Sequence, residues 1–384
     1  MALAIDEYFP PRQSLETLPV MRALVAAHRS LAELKGVAKT IPNEGLLVST
    51  LSLQEAQSSS AIENIITTQD ALYRQQVQPS QADPATKEVA RYVDGLLVGL
   101  QAVRRTGLLT VNTIIDIQAE LEGNTAGFRR TPGTVLRNEQ TGEVVYQPPS
   151  PERVPELMSQ LESYLHDEAP SDPLIRMAVA HHQFERIHPF YDGNGRTGRI
   201  VNVLSLVREG LLDSPILYLS RYINQTKVRY YTELQHVSNT GDWERWLVYL
   251  LEGVAVTASH TTRLVEAIGD LLHSHKHIIR QRHRFYSQDL INNIFRHPYT
   301  KVAFLEQDLG VSRATATRYL DALASDGILE KHRLGRQNYY VNRDLVSLLF
   351  KLPALEEQGN DRHATAPLGH AAAYSAASEK DYRS

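Results

Sequence analysis

The stretch His188-Pro-Phe-Tyr-Asp192-Gly-Asn-Gly-Arg196-Thr-Gly-Arg199 carries most of the information in this sequence. Two of its glycines bracket Asn194 just before an apolar run at 200–206 that predicts a helix, so backbone N–H groups at the helix start can face one anion. Arg196 and Arg199 share a face of that helix and can bind further phosphate oxygens. The stretch therefore predicts a phosphate site at a helix N-terminus.

Three other side chains of this stretch suit chemistry on a phosphate. Asp192 lies beside the predicted phosphate site, where a carboxylate can hold Mg²⁺ together with its water ligands. His188 carries an imidazole that ordinarily titrates near pH ~6.5, so it can accept a proton from a hydroxyl at neutral pH. Phe190 lies between them in sequence, and we expect its ring to fix the loop by being buried.

The same residues resemble the signature of the Fic family, His-x-Phe-x-Asp/Glu-Gly-Asn-Gly-Arg-x-x-Arg, with every fixed position present. The resemblance extends over about residues 10–255, because 146–158 is similar to the segment after the family's substrate-positioning flap and 218–246 to the end of its core. It implies a mainly α fold, with a Fic helical core that carries a β-hairpin flap.

Fic proteins most often transfer AMP from ATP to a hydroxyl of a protein and release pyrophosphate, and the resemblance implies this activity here. His188 would be the general base, and Asp192 would hold Mg²⁺ or Mn²⁺. The implied phosphate-binding positions are Gly193, Asn194 and Gly195 for the α-phosphate, and Arg196 and Arg199 for the β- and γ-phosphates. Some family members transfer phosphocholine or phosphate instead, and the motif leaves that alternative open.

A second pattern, Ser59-Ser-Ala-Ile-Glu63-Asn64, resembles the family's inhibitory Ser/Thr-x-x-x-Glu-Gly/Asn helix. The resemblance implies that the Glu63 carboxylate pairs with Arg199, removes a γ-phosphate ligand and leaves ATP in an unproductive pose. Ser59 and Asn64 complete the implied inhibitory motif, in a helix at about 52–66. The alternative is an ordinary solvated carboxylate, and whether Glu63 also supports removal of AMP stays open.

Two further regions are assigned by the resemblance to the binding of the substrates. Tyr231, in the pair Tyr230-Tyr231, falls where the family has an aromatic residue against adenine, and ring stacking on a purine suits that role. The glycine turn at 139–142, flanked by β-type residues, predicts a hairpin flap near 135–146. In the family this flap pairs with the backbone of the target protein by strand addition.

The periodicity of apolar residues divides the rest of the chain. Spacings of three and four predict helices over most of 14–103 and 154–251. We expect an N-terminal helical region at 1–110, the catalytic core at 111–265, a winged helix-turn-helix domain at 276–355 and a disordered tail at 356–384.

The C-terminal unit raises a function of another class. Residues 311–323 are predicted to form the recognition helix of a winged helix, with Ser312 as its N-cap. Its polar side chains could then contact bases in a DNA major groove. Between 299 and 342 the sequence has six Lys and Arg residues and five Asp and Glu residues. This weak balance is compatible with DNA binding and with docking of a protein, so a DNA-binding regulator remains an alternative to the enzyme.

The composition sets outer limits on the interpretation. With 40 Lys and Arg against 44 Asp and Glu, the chain lacks an overall basic field that would drive binding to nucleic acid. The 384 residues include no cysteine, which excludes disulfides, thiolate catalysis and Cys-ligated zinc. With no signal peptide or membrane-spanning run in view, we expect a cytoplasmic protein that does not contact membranes. A homodimer is left open.

Overall fold

The computed structural model describes residues 3–138, 144–167, 171–334, 337–350 and 374–376. It is mainly helical, as expected. The helices of the first half are α1 (Ile5–Tyr8), α2 (Leu18–Ala38), α3 (Glu44–Ile62), α4 (Gln69–Val77), α5 (Pro84–Thr106), α6 (Val111–Glu122), α7 (Val154–His166) and α8 (Pro173–Ile187). Those of the second half are α9 (Asn194–Arg208), α10 (Leu219–Gln225), α11 (Lys227–Thr240), α12 (Glu244–Arg282), α13 (Gln288–Arg296), α14 (Val302–Leu309), α15 (Arg313–Ser325) and α16 (Arg343–Phe350).

In the described ranges, six short strands form two sheets. The strands are β1 (Leu136–Asn138), β2 (Val144–Tyr146), β3 (Tyr299–Lys301), β4 (Glu330–Leu334), β5 (Gln337–Val341) and β6 (Tyr374–Ala376). Their orders are β2-β1-β6 and β3-β5-β4, with every pairing antiparallel.

The helical core surrounds α9, the helix that follows the phosphate-site stretch. This helix packs against α8, α5 and α6, while α12 packs along α2. Glycine permits the close approach of α8 and α9, since a Cβ on Gly198 would lie 2.9 Å from Cδ1 of Phe184. The two elements that carry the signature are therefore held firmly against each other.

The predicted hairpin is confirmed by β1 and β2, in which Leu136 pairs with Tyr146. Its turn at 139–143 lies outside the described residues. The other edge of β1 pairs with β6, which lies inside the tail 356–384, and the disorder expected for that tail stays a prediction. The unpaired N–H and C=O groups of an edge strand offer a ready template for such pairing. The rest of 356–384 lies outside the described residues.

Residues 288–350, from α13 to α16, form what we name the C-terminal unit. Its order of helix, strand, two helices and two strands is compatible with a winged helix-turn-helix. Ser312 caps α15 as predicted, accepting a hydrogen bond from the Thr315 N–H at 3.3 Å. Helix α12 runs for 39 residues without interruption to Arg282, across the interval 265–276 in which the domain boundary is expected, and that boundary stays a prediction.

None of the helices in the described ranges is long and apolar enough to cross a membrane. The cytoplasmic location stays a prediction.

Candidate active site

The stretch that the sequence singled out folds as a loop that leads into α9. Gly193 is the N-cap of this helix and has a φ of +73°, a left-handed conformation that favours glycine. A Cβ there would also lie 2.3 Å from Oε1 of Glu122. The N–H groups of the first turn have no partners within the helix, so they can bind an anion as predicted.

The Asn194 side chain holds the loop before α9, and the phosphate-binding role of this residue stays a prediction. Its Oδ1 accepts a hydrogen bond from the Phe190 N–H at 2.8 Å, and its Nδ2 donates to the Phe190 carbonyl at 2.9 Å. The side chain thereby closes the loop on itself and fixes the backbone of Asn194 at the start of α9. The Phe190 ring is fully buried between Phe128 and Phe184, which confirms that it fixes the loop.

His188 lies directly after α8 in the left-handed region, with a φ of +49°. Its ring is buried, and neither ring nitrogen has a hydrogen-bond partner among the described residues. Burial, reinforced by the positive charge of Arg129, lowers the pKa of His188 to about 4. The imidazole is therefore neutral at physiological pH and can accept a proton.

Arg129 supports this loop, and no sequence motif points to this residue. The guanidinium is buried and has no carboxylate partner among the described residues. It donates from Nε to the His188 carbonyl at 2.8 Å and from Nη2 to the Pro149 carbonyl at 2.5 Å. Its backbone N–H donates to the Pro189 carbonyl at 2.9 Å. These bonds fix the unusual backbone at His188 and therefore the position of the imidazole.

Glu63 and Ser59, which lie 136 and 140 residues away from Arg199 in sequence, both contact that arginine in the folded chain. Glu63 Oε1 accepts from Arg199 Nη2 at 2.7 Å, while Arg199 Nε donates to Ser59 Oγ at 2.8 Å. The Ser59 carbonyl accepts a further bond from Nη2 at 3.0 Å. With this set of partners, the Arg199 guanidinium is held by the end of α3 rather than free for a ligand.

Arg196 belongs to the same network, which extends beyond the pair that the sequence suggested. Glu63 uses its second oxygen, Oε2, to accept from Arg196 Nε at 2.8 Å. Glu88 and Glu122 accept from Nη1 and Nη2, both at 2.9 Å. Glu88 and Glu122 lie on α5 and α6, and no local sequence pattern links them to the signature, so their role is visible only in the fold.

The carboxyl groups of this network differ in pKa. Burial alone would raise the pKa of Glu63, but Arg199 and Arg196 outweigh it and hold that pKa below its usual range. Burial raises the pKa of Glu122 to about 7 although Arg196 opposes the shift. Glu63 is thus the carboxylate that stays ionised between the two arginines.

Backbone geometry at the end of α3 explains why asparagine follows Glu63. The Ile65 N–H donates to the Ser60 carbonyl at 3.0 Å and the Asn64 N–H to the Ala61 carbonyl at 3.2 Å. These two bonds form a Schellman motif, whose first residue beyond the cap must be left-handed. Asn64 has a φ of +61°, which asparagine tolerates better than most residues. The helix therefore ends at Ile62, earlier than predicted, and aims Glu63 at the arginines.

Glu63 also lies close to Gly195, in the first turn of α9. A Cβ on Gly195 would lie 2.5 Å from Glu63 Oε1 and 2.7 Å from Arg199 Nη1. The carboxylate thus lies directly over the first turn of α9, where a phosphate is predicted to bind.

Asp192 lies at the mouth of the loop with its side chain two-thirds exposed, and its Oδ1 accepts from the Gly193 N–H at 2.8 Å. The described residues contain no group of three or more His, Asp or Glu side chains that could hold a metal alone. Asp192 fits the way in which Mg²⁺ is usually held by one or two carboxylates together with substrate phosphates.

Tyr231 lies on α11, half-buried, with its ring 5.0 Å from the buried ring of Tyr230. Tyr230 shares a hydrogen bond of 3.0 Å with His181 and belongs to the core. The adenine-binding role of Tyr231 stays a prediction.

Three family models match consecutive parts of the chain: the Fic/DOC family N-terminal model at 21–101, the Fic/DOC family model at 108–206, and the C-terminal domain of SoFic-like protein adenylyltransferases at 271–345. Among curated relatives, protein adenylyltransferase fic-1 of Caenorhabditis elegans is 36% identical over 144 residues, which are 37% of this chain and 26% of that protein. Protein adenylyltransferase Fic of Aedes aegypti is 29% identical over 154 residues, 40% of this chain and 28% of that protein. The chain thus spans little more than a quarter of these relatives.

A solved Fic family protein from Desulfovibrio desulfuricans G20 resembles the fold with a TM-score of 0.54 and 21% identity, over 87% of this chain and 98% of that one. This likeness concerns the fold alone. Because the complete signature lies on α9 and its loop, and because the family models follow one another from 21 to 345, the chain belongs to the Fic/DOC family.

Proposed function

We propose that this protein is a nucleotidyltransferase that moves AMP from ATP to a hydroxyl side chain of a target protein, and that Glu63 restrains it. The observation that carries the proposal is the contact of Glu63 with Arg199 and Arg196 over the N-terminus of α9, next to a neutral His188. The named activity of the curated relatives supports the same chemistry.

In the proposed reaction the hydroxyl oxygen attacks the α-phosphorus while the bond from that phosphorus to pyrophosphate breaks. His188 takes the proton of the attacking hydroxyl. Backbone N–H groups at the start of α9 stabilise the charge on the α-phosphate, and the two arginines stabilise the pyrophosphate that leaves. Mg²⁺, held by Asp192 and the phosphates, would neutralise charge on the triphosphate.

The restraint follows from competition for the same positive groups. A γ-phosphate and the Glu63 carboxylate both require the Arg199 guanidinium, and both carry negative charge, so they cannot occupy it together. ATP then binds with its γ-phosphate displaced, which turns the α-phosphorus away from the line of attack. Only a shift of the α3 end lets the triphosphate reach its productive position.

The experiment is transfer of label from ATP labelled at its α-phosphate to protein, measured for wild type and Glu63→Gly. We expect Glu63→Gly to be faster by at least about tenfold, visible first as self-modification. Adding His188→Ala to Glu63→Gly should lower the rate by at least about a hundredfold, because general-base catalysis contributes that much.

The matched control is Glu209→Gly. Glu209 Oε1 lies 3.2 Å from Arg176 and 3.0 Å from Arg208 at the opposite end of α9, so it also bridges two arginines but far from the phosphate site. It should not raise transfer. A Glu63→Gly protein that incorporates no more label than wild type would refute the restraint, and full activity without His188 would refute the base.

The flap suits docking of the target protein by strand addition, since the edge of β1 that faces away from β2 already pairs with a further strand, β6. DNA contact through 311–323 stays a second candidate, favoured by the exposure of Arg313 and Arg318 on α15. A salt-dependent gel shift of genomic fragments tests it. Removal of AMP assisted by Glu63, transfer of phosphocholine or phosphate, and a homodimer stay predictions.

A further inference from the structure

The C-terminal unit contacts the chain on both sides of Glu63. Helix α3 ends at Ile62, one residue before Glu63, and α4 begins at Gln69. Both helices pack against the unit: α3 against α13, and α4 against β3. The short segment that carries the inhibitory carboxylate is therefore held between two helices that share one partner.

On the α3 side, the contact is made by two polar side chains. Gln54 is buried, and its Nε2 donates to the Leu349 carbonyl of α16 at 2.9 Å. Ser49 Oγ donates to the Arg296 carbonyl at the end of α13 at 3.0 Å. Both bonds reach backbone of the C-terminal unit, so they fix the position of α3 relative to that unit.

On the α4 side, the contact is aromatic and charge-assisted. The ring of Tyr73 stacks on Tyr299 at 5.5 Å and on Phe350 at 6.0 Å. The Tyr299 hydroxyl donates to Asp70 Oδ1 at 2.5 Å, and Lys301 Nζ donates to the Val77 carbonyl at 2.8 Å. Hydrogen bonds to a charged partner such as Asp70 are stronger than neutral ones.

Helix α3 links this interface to the active site without a break. Nine residues separate Gln54 from Glu63, which is roughly 13 Å along an α-helix. Ser59, on the same helix, binds Arg199. A helix of this length moves as one body, so a displacement at the interface reaches Ser59 and Glu63.

A second anchor of α3 lies on the core side. Glu55, next to Gln54, is buried and accepts hydrogen bonds from the Ser220 hydroxyl and N–H of α10 and from Tyr92 of α5. Consecutive residues of one helix thus bind the core and the C-terminal unit. The position of α3 depends on both partners.

We propose that the C-terminal unit is a control element for AMP transfer, because its contacts with α3 and α4 hold Glu63 against Arg196 and Arg199. Loosening those contacts raises the rate with no change in any group that touches the nucleotide. This inference rests on the proposed function, and it assigns the unit a role in regulation whether or not it also binds DNA.

The experiment uses the full chain with Tyr299→Phe and Gln54→Ala combined, which remove one bond on each side of Glu63. We expect α-phosphate label transfer to rise about 3- to 10-fold over wild type. The matched control is Tyr340→Phe. Its hydroxyl donates to Asp321 Oδ1 at 2.7 Å within the C-terminal unit, so the same loss occurs away from the interface and should not raise transfer.

Two further readouts separate regulation from a general loss of stability. In a Glu63→Gly background the interface variant should add nothing, because the restraint is already gone. Amide hydrogen exchange over 55–62 should become faster in the interface variant and stay unchanged in Tyr340→Phe. The proposed function fails if Glu63→Gly itself is inactive. The control role fails if Glu63→Gly is active while the interface variant matches wild type in rate and exchange.

Discussion

At the residue scale, the site depends on one carboxylate whose two oxygens bind two different arginines. Glu63 Oε1 accepts a hydrogen bond from Arg199 and Oε2 accepts one from Arg196, whereas the sequence motif predicts a pair with Arg199 alone. A hydrogen bond to a charged group contributes about 1.5–3 kcal/mol, so the contact stabilises the resting fold while it blocks the nucleotide. Without Glu63, Arg196 retains its hydrogen bonds to Glu88 and Glu122. Of the hydrogen bonds described above, Arg199 then retains those to Ser59.

The pKa of His188 predicts the dependence of activity on pH. Burial and Arg129 lower this pKa to about 4, while Glu63 opposes them, so a variant without Glu63 has a still lower pKa. The base is active when neutral, and activity is lost only as the pH falls through about 4. We expect label transfer by Glu63→Gly, fitted as kcat/KM, to show no loss from His188 titration between pH 8 and about 5.5. A midpoint near pH ~6.5, the value of a solvated imidazole, would contradict this.

Asp192 predicts the dependence on metal. In a Glu63→Gly background, Asp192→Ala should raise the Mg²⁺ concentration needed for half-maximal transfer and lower the rate by roughly tenfold or more, because the metal loses its protein ligand. The control is Asp116→Ala, which removes an exposed carboxylate of α6. Mg²⁺ titrations of the labelled transfer measure both variants, and unchanged activity in excess chelator would show that no cation takes part.

At the element scale, the inhibitory segment works because α3 stops where it does. The sequence predicted a helix at about 52–66 from the resemblance of a short motif, and α3 lies at 44–62. The residues that stop it form a Schellman motif, which depends on a left-handed Asn64. The motif identified the right residues, but the stop could not be placed from periodicity, because backbone handedness leaves no apolar pattern.

Asn64 gives a test of this geometry. Asn64→Ala and Asn64→Gly both remove the amide side chain, but only alanine resists the left-handed conformation, at a cost of about 1–2 kcal/mol. We expect Asn64→Ala to melt a few degrees below Asn64→Gly and to show the faster label transfer of the two. Thermal unfolding and the transfer assay measure the two effects. If the two variants behave alike, backbone strain does not position Glu63.

The other elements show where sequence reasoning reached its limit. The hairpin at β1 and β2 and the cap at Ser312 follow local rules, so both were predicted correctly. Glu88, Glu122 and Arg129 meet the signature only through the packing of α5, α6 and the loop before the flap, so their roles required the fold.

At the scale of the whole molecule, side-chain contacts that the sequence does not reveal join the C-terminal unit to the helical core. A domain boundary is expected between 265 and 276, where α12 runs without interruption, and the C-terminal unit packs on α3 and α4. Composition and periodicity describe each region by itself, so they could not reveal that Tyr73 stacks on Tyr299 across 226 positions of sequence. Contacts of this kind connect the unit with the site.

Glu63 occupies the Arg199 guanidinium that the nucleotide requires, and a double-mutant cycle of these two residues measures their coupling. Transfer of α-phosphate label is measured for wild type, Glu63→Gly, Arg199→Ala and the double variant. We predict that Glu63→Gly raises the rate in the presence of Arg199 and gives no rise in its absence, because the liberated guanidinium is then missing. An equal rise in both backgrounds would contradict the account, since Glu63 would then act without Arg199.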